Sequence, residues 1–281
     1  MIPLGSIKEW EDLTIQDNFL FQKVMQNQRI CKHLIEKILH IKIEKITFPE
    51  SEKSINIRQD SKSIRLDVYV HDENGRVYDI EMQCTNGTDG ELAKRTRYYQ
   101  GMLDMEELKK GQYYTELKES FIIFICTFDP FREGLPMYTF RHRCVEKEGL
   151  ELGDLAAKIF LNSKGKSDTL DPDVAAFLRY VDGKAAEGAF TKEVNEEVIR
   201  VKNHRETRQE YMTYAMELEM TKREARMKGK QEGRKEGMEQ KNREVIVNLL
   251  KMNLAIDSIA KATDSTISYV KEVGREAGIS V

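Results

Sequence analysis

Acidic side chains recur on two neighbouring strand-like segments in the first third of the chain. Asp67 lies in the first segment, residues 64–70, and Glu81 and Gln83 lie in the second, residues 77–84. Carboxylate oxygens are hard ligands, and without nearby histidine or cysteine pairs they suit Mg²⁺ or Mn²⁺ better than zinc. If the two carboxylates lie close together, a divalent cation is one of the species that could hold them there.

The turn between the two segments decides whether Asp67 and Glu81 meet. The even-numbered positions of both segments are apolar and are expected to share a buried face. They are Ile64, Leu66, Val68, Val70, Tyr78, Ile80, Met82 and Cys84. A two-residue turn would pair Asp67 with Met82 and split this apolar set between faces. A three-residue turn over residues 73–75, with Gly75 left-handed, pairs Asp67 with Glu81 and keeps the set together. We predict the second register, which puts the two Cβ atoms about 5 Å apart.

Side by side, these carboxylates repel each other, and the repulsion must be offset. A shared proton or a divalent cation would do so. The alternative is an ordinary solvated sheet face, which would also carry Asp79 and on which Arg65 and Arg76 pair with the acids. On residue types alone, both interpretations remain open.

The surrounding elements predict an α/β (α+β) core. Residues 17–39 and 90–110 show helical periodicity, and residues 121–126 form a continuous apolar run typical of a strand buried on both faces. Short strands are expected over residues 41–48, 137–145 and 156–161. From residue 171 onward the signals are almost entirely helical. We therefore predict one domain over residues 1–165 and a helical extension over residues 166–281.

Several stretches together resemble the PD-(D/E)XK nuclease core and, more closely, the Rpn-type recombination-promoting nucleases, also described as transposases of that superfamily. The resemblance runs from about residue 10 to 165. It is carried by residues 17–21 (DNFLF), 65–70 (RLDVYV), 78–83 (YDIEMQ), 95–99 (RTRYY), 124–126 (FIC) and 129–131 (DPF). It implies a central mixed sheet flanked by helices and a metal-dependent DNA endonuclease. The alternative is a non-catalytic DNA-binding or assembly protein on a decayed nuclease fold.

The resemblance also implies roles for individual residues. Asp67 and Glu81 would bind Mg²⁺ (or Mn²⁺), and Gln83 stands where many relatives carry lysine, so it would orient water without supplying charge. Asp17 would add a third carboxylate, or it is a helix N-cap. Arg95 and Tyr98 would contact a phosphate, or they are a salt-bridging arginine and a half-buried tyrosine.

The helical extension carries a charged segment with glycines at every fourth position. Residues 222–243 contain nine basic and four acidic side chains, and Gly229, Gly233 and Gly237 fall on one helical face. The segment is a weak helix, a hinge, or a flat seam against a second helix. We expect it to make a homo-oligomer and to raise DNA affinity. Residues 254–277 predict a helix-turn-helix that reads DNA, or a small helical cap.

Composition limits the remaining possibilities. The net charge is -3, so a polyanion must be bound by a local basic surface. No apolar run is long enough to span a membrane, and no phosphate-binding glycine loop predicts a nucleotide cofactor. Cys31, Cys84, Cys126 and Cys144 form no metal-ligand pair and read as reduced thiols. We therefore expect a cytoplasmic protein.

Overall fold

The computed structural model describes residues 8–49, 53–55, 64–87 and 90–279. The chain forms two compact units, Met1–Tyr211 and Met212–Val281. The strands, in chain order, are β1 (Ile46–Thr47), β2 (Lys53–Ile55), β3 (Ile64–Leu66), β4 (Val68–Asp72), β5 (Val77–Gln83), β6 (Ser120–Cys126), β7 (Met137–Phe140) and β8 (Ala156–Asn162). The helices are α1 (Asn18–Met25), α2 (Gln28–Leu39), α3 (Glu91–Glu107), α4 (Pro172–Val181), α5 (Gly188–Asn203), α6 (Arg205–Lys251), α7 (Ile256–Ala262) and α8 (Ile267–Glu276).

Six of these strands make one mixed sheet in the order β1-β4-β5-β6-β8-β7. The central pairs, β5 with β6 and β6 with β8, are parallel, whereas β4 with β5 and β7 with β8 are antiparallel. Every residue of β6 is buried, as expected for a parallel strand covered on both faces. The predicted α+β fold with a mixed sheet is confirmed.

The predicted helix over residues 17–39 is two helices. Asn27 has an extended backbone (φ -70°, ψ 106°), and its side chain caps α2 by accepting from the Arg29 backbone N–H. A short polar side chain favours such a cap over the helix interior, so the apolar periodicity continues across a break. The strand expected over residues 41–48 forms only at β1, and the strand expected over residues 137–145 ends at Phe140.

The first compact unit extends well past residue 165, where the sequence predicts a domain boundary. Helices α4 and α5 pack on α1 and α2 in that unit, and Phe177 and Val194 are buried there. Trp10 donates its indole N–H to the Lys202 carbonyl oxygen at 3.1 Å. Periodicity shows that a helix has an apolar face but not what covers it, so α4 and α5 could not be assigned to the core from sequence.

The second unit contains a small three-helix cluster. The end of α6, α7 and α8 enclose the buried residues Ile246, Leu250, Ile259, Ala260, Val270 and Val273. The turn between α7 and α8 places Asp264 in the left-handed region (φ 49°), and Thr266 caps α8 by accepting from the Tyr269 backbone N–H. A small helical cap is therefore present, and its reading of DNA as a helix-turn-helix stays a prediction.

Helix α6 is continuous through its three glycines. A Cβ atom added at Gly229, Gly233 or Gly237 would meet no heavy atom within 4 Å. The segment is a helix, and its glycine strip lies open. Across the residues with described positions, no helix has both the length and the hydropathy needed to cross a membrane. The four cysteines form no disulfide.

Candidate active site

The hairpin formed by β4 and β5 has the predicted register. The Asp72 backbone N–H donates to the Arg76 carbonyl oxygen at 3.1 Å, and Gly75 is left-handed at φ 75°. Val68 pairs with Ile80, and Tyr69 pairs with Asp79. The turn over residues 73–75 therefore contains three residues, and the prediction from the apolar alternation is confirmed.

The strict alternation of faces fails at Asp67. This residue forms a bend between β3 and β4, and β3 pairs with β2 in a separate two-stranded ribbon. Leu66 packs in one buried cluster with Tyr69 and Val77, so the expectation that all even-numbered apolar positions share one face is wrong. Because of the bend, the side chains before Asp67 do not continue the alternation of faces that the residues after it follow. A strict two-residue alternation therefore cannot describe both segments.

The face that carries the acids is buried, not solvated. Asp67 is 8% exposed, Glu81 is 2% exposed and Asp79 is inaccessible. Hydrophobic residues of α3 and β6, including Leu103 and Phe124, belong to the cluster on this side of the sheet. The interpretation as an ordinary solvated sheet face is therefore wrong, because α3 covers it.

Asp67 and Glu81 are held against each other by backbone hydrogen bonds. The Asp67 N–H donates to Glu81 Oε1 at 2.9 Å, and the Met82 N–H donates to Asp67 Oδ2 at 3.1 Å. Helix α1 adds two amide donors to Asp67: Gln22 Nε2 at 2.9 Å from Oδ1 and Asn18 Nδ2 at 3.3 Å from Oδ2. Both amides lie on one face of α1, four residues apart, and that spacing is a signal by which the sequence could have identified them.

Arg95 reaches the same place from α3. Its Nη2 donates to Glu81 Oε2 at 2.7 Å and its Nη1 to Gln83 Oε1 at 2.9 Å. The guanidinium carbon lies 5.0 Å from the ring centroid of Tyr99 and 5.2 Å from that of Phe124. The guanidinium is thus fixed by two acceptors and two aromatic faces.

Two residues of the predicted site lie apart from this group. Asp17 accepts from the Thr14 backbone N–H at 2.7 Å and pairs with Lys8 at 2.8 Å. It occupies the N-cap position of α1 but makes no side-chain cap hydrogen bond. Tyr98 is 39% exposed, and the tyrosine beside Arg95 is Tyr99. Spacings of three and four both place residues on one helical face, so sequence alone could not choose between the two tyrosines.

Asp79 joins the group without a role assigned from sequence. It is inaccessible to solvent, and neither of its carboxylate oxygens has a hydrogen-bond partner among the residues that the structure describes. Burial, followed by the charges of Glu81 and Asp67, raises its pKa well above the ordinary value. The pattern Asp79-x-Glu81-x-Gln83 places it on the acidic face, and that alternation is the signal that could have identified it.

The buried acids of the group oppose each other's ionisation. Burial and the charge of Asp67 raise the pKa of Glu81 to about 8, although Arg95 and the Asp67 N–H act in the opposite direction. Burial likewise raises the pKa of Asp79, so the group must be compensated either by a bound proton or by a divalent cation. The donors are carboxylate oxygens, which fit Mg²⁺ or Mn²⁺. Within the described ranges, no three His, Cys, Asp or Glu side chains converge on one metal position.

Comparison with known proteins identifies the family. The chain belongs to the PD-(D/E)XK nuclease family transposases, whose sequence model matches residues 17–236. No curated protein and no solved structure matched the chain. The matched region includes Asp67, Glu81, Gln83 and Arg95, and the resemblance drawn from the sequence motifs is confirmed.

Proposed function

We propose that this member of the PD-(D/E)XK nuclease family transposases is a metal-dependent endonuclease that hydrolyses phosphodiester bonds in DNA. Membership of the family supports nuclease-type chemistry. The observation that carries the proposal is the reciprocal pair of hydrogen bonds, from Asp67 N–H to Glu81 and from Met82 N–H to Asp67. These bonds hold two buried carboxylates together at the end of β5, where a divalent cation would relieve their repulsion.

Asp67 and Glu81 would hold the cation, Mg²⁺ or Mn²⁺. When bound, such an ion polarises a phosphoryl oxygen and lowers the pKa of an attacking water. The amides of Gln22 and Asn18 orient Asp67 from α1, and Arg95 orients Glu81 from α3. Supporting hydrogen bonds of this kind fix the direction of ligand lone pairs and commonly change metal affinity by about 10–100-fold.

Gln83, which stands where many relatives carry lysine, is held by two hydrogen bonds. Its Nε2 donates to the Thr85 carbonyl oxygen at 2.5 Å, and its Oε1 accepts from Arg95. We propose that Gln83 positions Arg95 and that Arg95 supplies the positive charge at this end of the site. The Arg95 side chain is 31% exposed, and we propose that its guanidinium also contacts a phosphate oxygen. Tyr98 would contact the DNA outside the acidic group, and Asp17 would join the metal ligands only after its contacts to Thr14 and Lys8 open.

The charged part of α6 would add to DNA binding and to self-association. Its basic excess over residues 222–243 is exposed, and the open strip at Gly229, Gly233 and Gly237 would let a second helix approach closely. A homo-oligomer formed in this way would bring two sites to one DNA molecule.

One observation favours a second candidate function, a non-catalytic DNA-binding or assembly protein on a decayed nuclease fold. Arg95 already pairs with Glu81 at 2.7 Å, so an internal cation partly offsets the charge that a metal would otherwise neutralise. No lysine stands at position 83 to assist hydrolysis.

The test is to incubate the full chain with supercoiled plasmid in the presence of Mg²⁺, Mn²⁺ or EDTA. We expect nicked and linear DNA with either metal and intact plasmid with EDTA. In parallel, titration calorimetry with Mn²⁺ should show binding that Glu81→Gln abolishes and that Glu148→Gln, a change at an exposed acid, leaves intact. Mn²⁺ binding that Glu81→Gln leaves unchanged, or plasmid that stays intact with both metals, would favour the non-catalytic alternative.

A further inference from the structure

A second candidate site lies between α3 and the β7–β8 edge of the sheet. It is a cavity of about 290 Å³ whose walls include Phe131, Phe140 and Phe160. Phe160 is buried, and the rings of Phe131 and Phe140 stand nearly perpendicular to it, at 88° and 85° with centroids 5.0 Å and 5.8 Å away. Phe140 is 45% exposed, so an aromatic surface faces the opening. The volume is near the lower end of ligand pockets, which span about 300–1,000 Å³.

Two cationic side chains line this cavity. Arg97 on α3 and Lys158 on β8 both belong to its wall. Neither side chain forms a hydrogen bond or ion pair with any residue in the described part of the chain, whereas the neighbouring His142 pairs with Asp154 at 2.6 Å. Burial lowers the pKa of Lys158, while Asp154 and Asp104 raise it. An anion at the opening would stabilise the half-buried ammonium group.

The cavity and the candidate active site share one face of the sheet. Glu81 pairs in register with Phe124 on β6, and Phe124 pairs in register with Phe160 on β8. The rings of Phe124 and Phe160 stack at 5.6 Å, and Arg95 lies over Phe124. Two strand spacings separate Glu81 from Phe160, which is about 10 Å.

We propose that this cavity binds an unstacked base of the DNA strand, with its ring against Phe140 and its flanking phosphates near Arg97 and Lys158. The proposal rests on the proposed nuclease function, because it places the base two strand spacings, about 10 Å, from the acids that would act on the scissile phosphate. The protein would then bind single-stranded or locally opened DNA.

The combination of groups selects this ligand class. An aromatic wall beside unpaired cations is the arrangement with which proteins bind bases and the backbone of single strands, because every base has a π-face and every nucleotide a phosphate. An aliphatic ligand would leave Arg97 and Lys158 unpaired. Normal duplex DNA keeps its bases stacked, so an opened strand should bind better.

The test measures binding of a fluorescent 12-nucleotide single-stranded DNA to the full chain in EDTA, which prevents cleavage. We expect Phe140→Ala to weaken binding about tenfold, in line with the loss of one stacked base. The double variant Arg97→Gln/Lys158→Gln should weaken binding and reduce its salt dependence. The matched controls are Tyr114→Ala, which removes a tyrosine that is 86% exposed, and Lys110→Gln, both outside the cavity.

The outcomes separate this proposal from the nuclease function. Binding that the cavity variants weaken no more than the controls do, or tighter binding of a blunt duplex of equal length, overturns the proposal. Equal affinity for deoxynucleoside monophosphate and for the strand overturns the assignment to DNA and makes the ligand a free nucleotide. If the protein never nicks plasmid but the cavity variants bind the strand more weakly, the cavity proposal stands and the nuclease function is overturned. If the protein nicks plasmid and the cavity variants bind the strand as tightly as the wild type, the nuclease function stands and the cavity proposal is overturned.

Discussion

The acidic group at the end of β5 and the charged segment of α6 use the same residue types in opposite surroundings. In the first, Asp67, Asp79 and Glu81 are nearly inaccessible, and burial raises the pKa of Asp79 and Glu81. In the second, the side chains of residues 222–243 are almost all exposed. Exposed charges are solvated and screened, and an exposed ion pair contributes only about 0.2–1 kcal/mol.

From this contrast we expect the buried acids and the exposed basic helix to have different roles. A buried carboxylate without enough partners costs free energy of folding, which a bound cation would recover. An exposed basic helix costs little and attracts phosphates in a salt-dependent way. The core is therefore expected to determine catalysis and α6 to adjust how tightly DNA is held.

The largest effect is expected from the two acids that would hold the metal. Asp67→Asn and Glu81→Gln should each lower Mg²⁺-dependent plasmid nicking by about 100-fold or more, because each removes a charged ligand at a preorganised site. The amide replacements keep the acceptor oxygen for the backbone N–H groups that each acid receives, so the fold should persist by circular dichroism. Glu148→Gln is the matched control. Wild-type nicking by either folded variant would remove the acids from the mechanism.

Asp79 offers a test of buried charge by stability instead of activity. Its pKa is raised in the folded protein, so at pH values above the ordinary carboxyl range the unfolded chain binds fewer protons than the folded one. Stability therefore falls as pH rises, and Asp79→Asn removes that loss. We expect the variant to gain about 1–3 kcal/mol near pH 8 and almost nothing near pH 4, measured by urea unfolding. An equal change at both pH values would show that the Asp79 charge is already compensated.

The basic side chains of α6 should affect affinity and not the chemical step. A full-length variant with Lys228→Gln, Lys230→Gln, Arg234→Gln and Lys235→Gln should bind duplex DNA several-fold more weakly at low salt. The slope of log K against log salt should fall by about 0.9 for each phosphate group that the variant no longer neutralises. The rate of nicking at saturating protein should change little. An unchanged salt slope would mean that this segment is solvated and does not touch DNA.

The smallest effect is expected from the glycine strip, and its sign is informative. A methyl group at Gly233 meets no atom within 4 Å, so Gly233→Ala should stabilise α6 by about 0.8–1 kcal/mol. If protomers pair through this strip, the same methyl group should weaken the oligomer, which light scattering over a dilution series would detect. Ser268→Ala, at an exposed position on α8, is the control. A stabilised variant with unchanged association would place any self-association elsewhere.

Much of the hairpin could be predicted from the sequence because its determinants are local. The position of Gly75 and the alternation on either side of the turn fix the register, and the register brings Asp67 close enough to Glu81 for its N–H to donate to the Glu81 carboxylate. The same local rules predict β6 and β8 and the helical character of everything after residue 171. They fail at Asn27 and Asp67, where a cap and a bend interrupt a pattern that otherwise continues.

Only the packing of the helices on the sheet determines which face of the β4–β5 hairpin is buried and which elements cover it. Alternation gives the direction of each side chain, but the dielectric around Glu81 depends on α3, and the position of Arg95 depends on how α3 packs over Phe124. The assignment of α4 and α5 to the first unit and the cavity at Phe140 likewise depend on segments far apart in the chain. Residue spacing determines the direction in which each side chain points within one helix or strand. Burial depends on how helices and strands pack against each other, and the pKa shifts follow from burial.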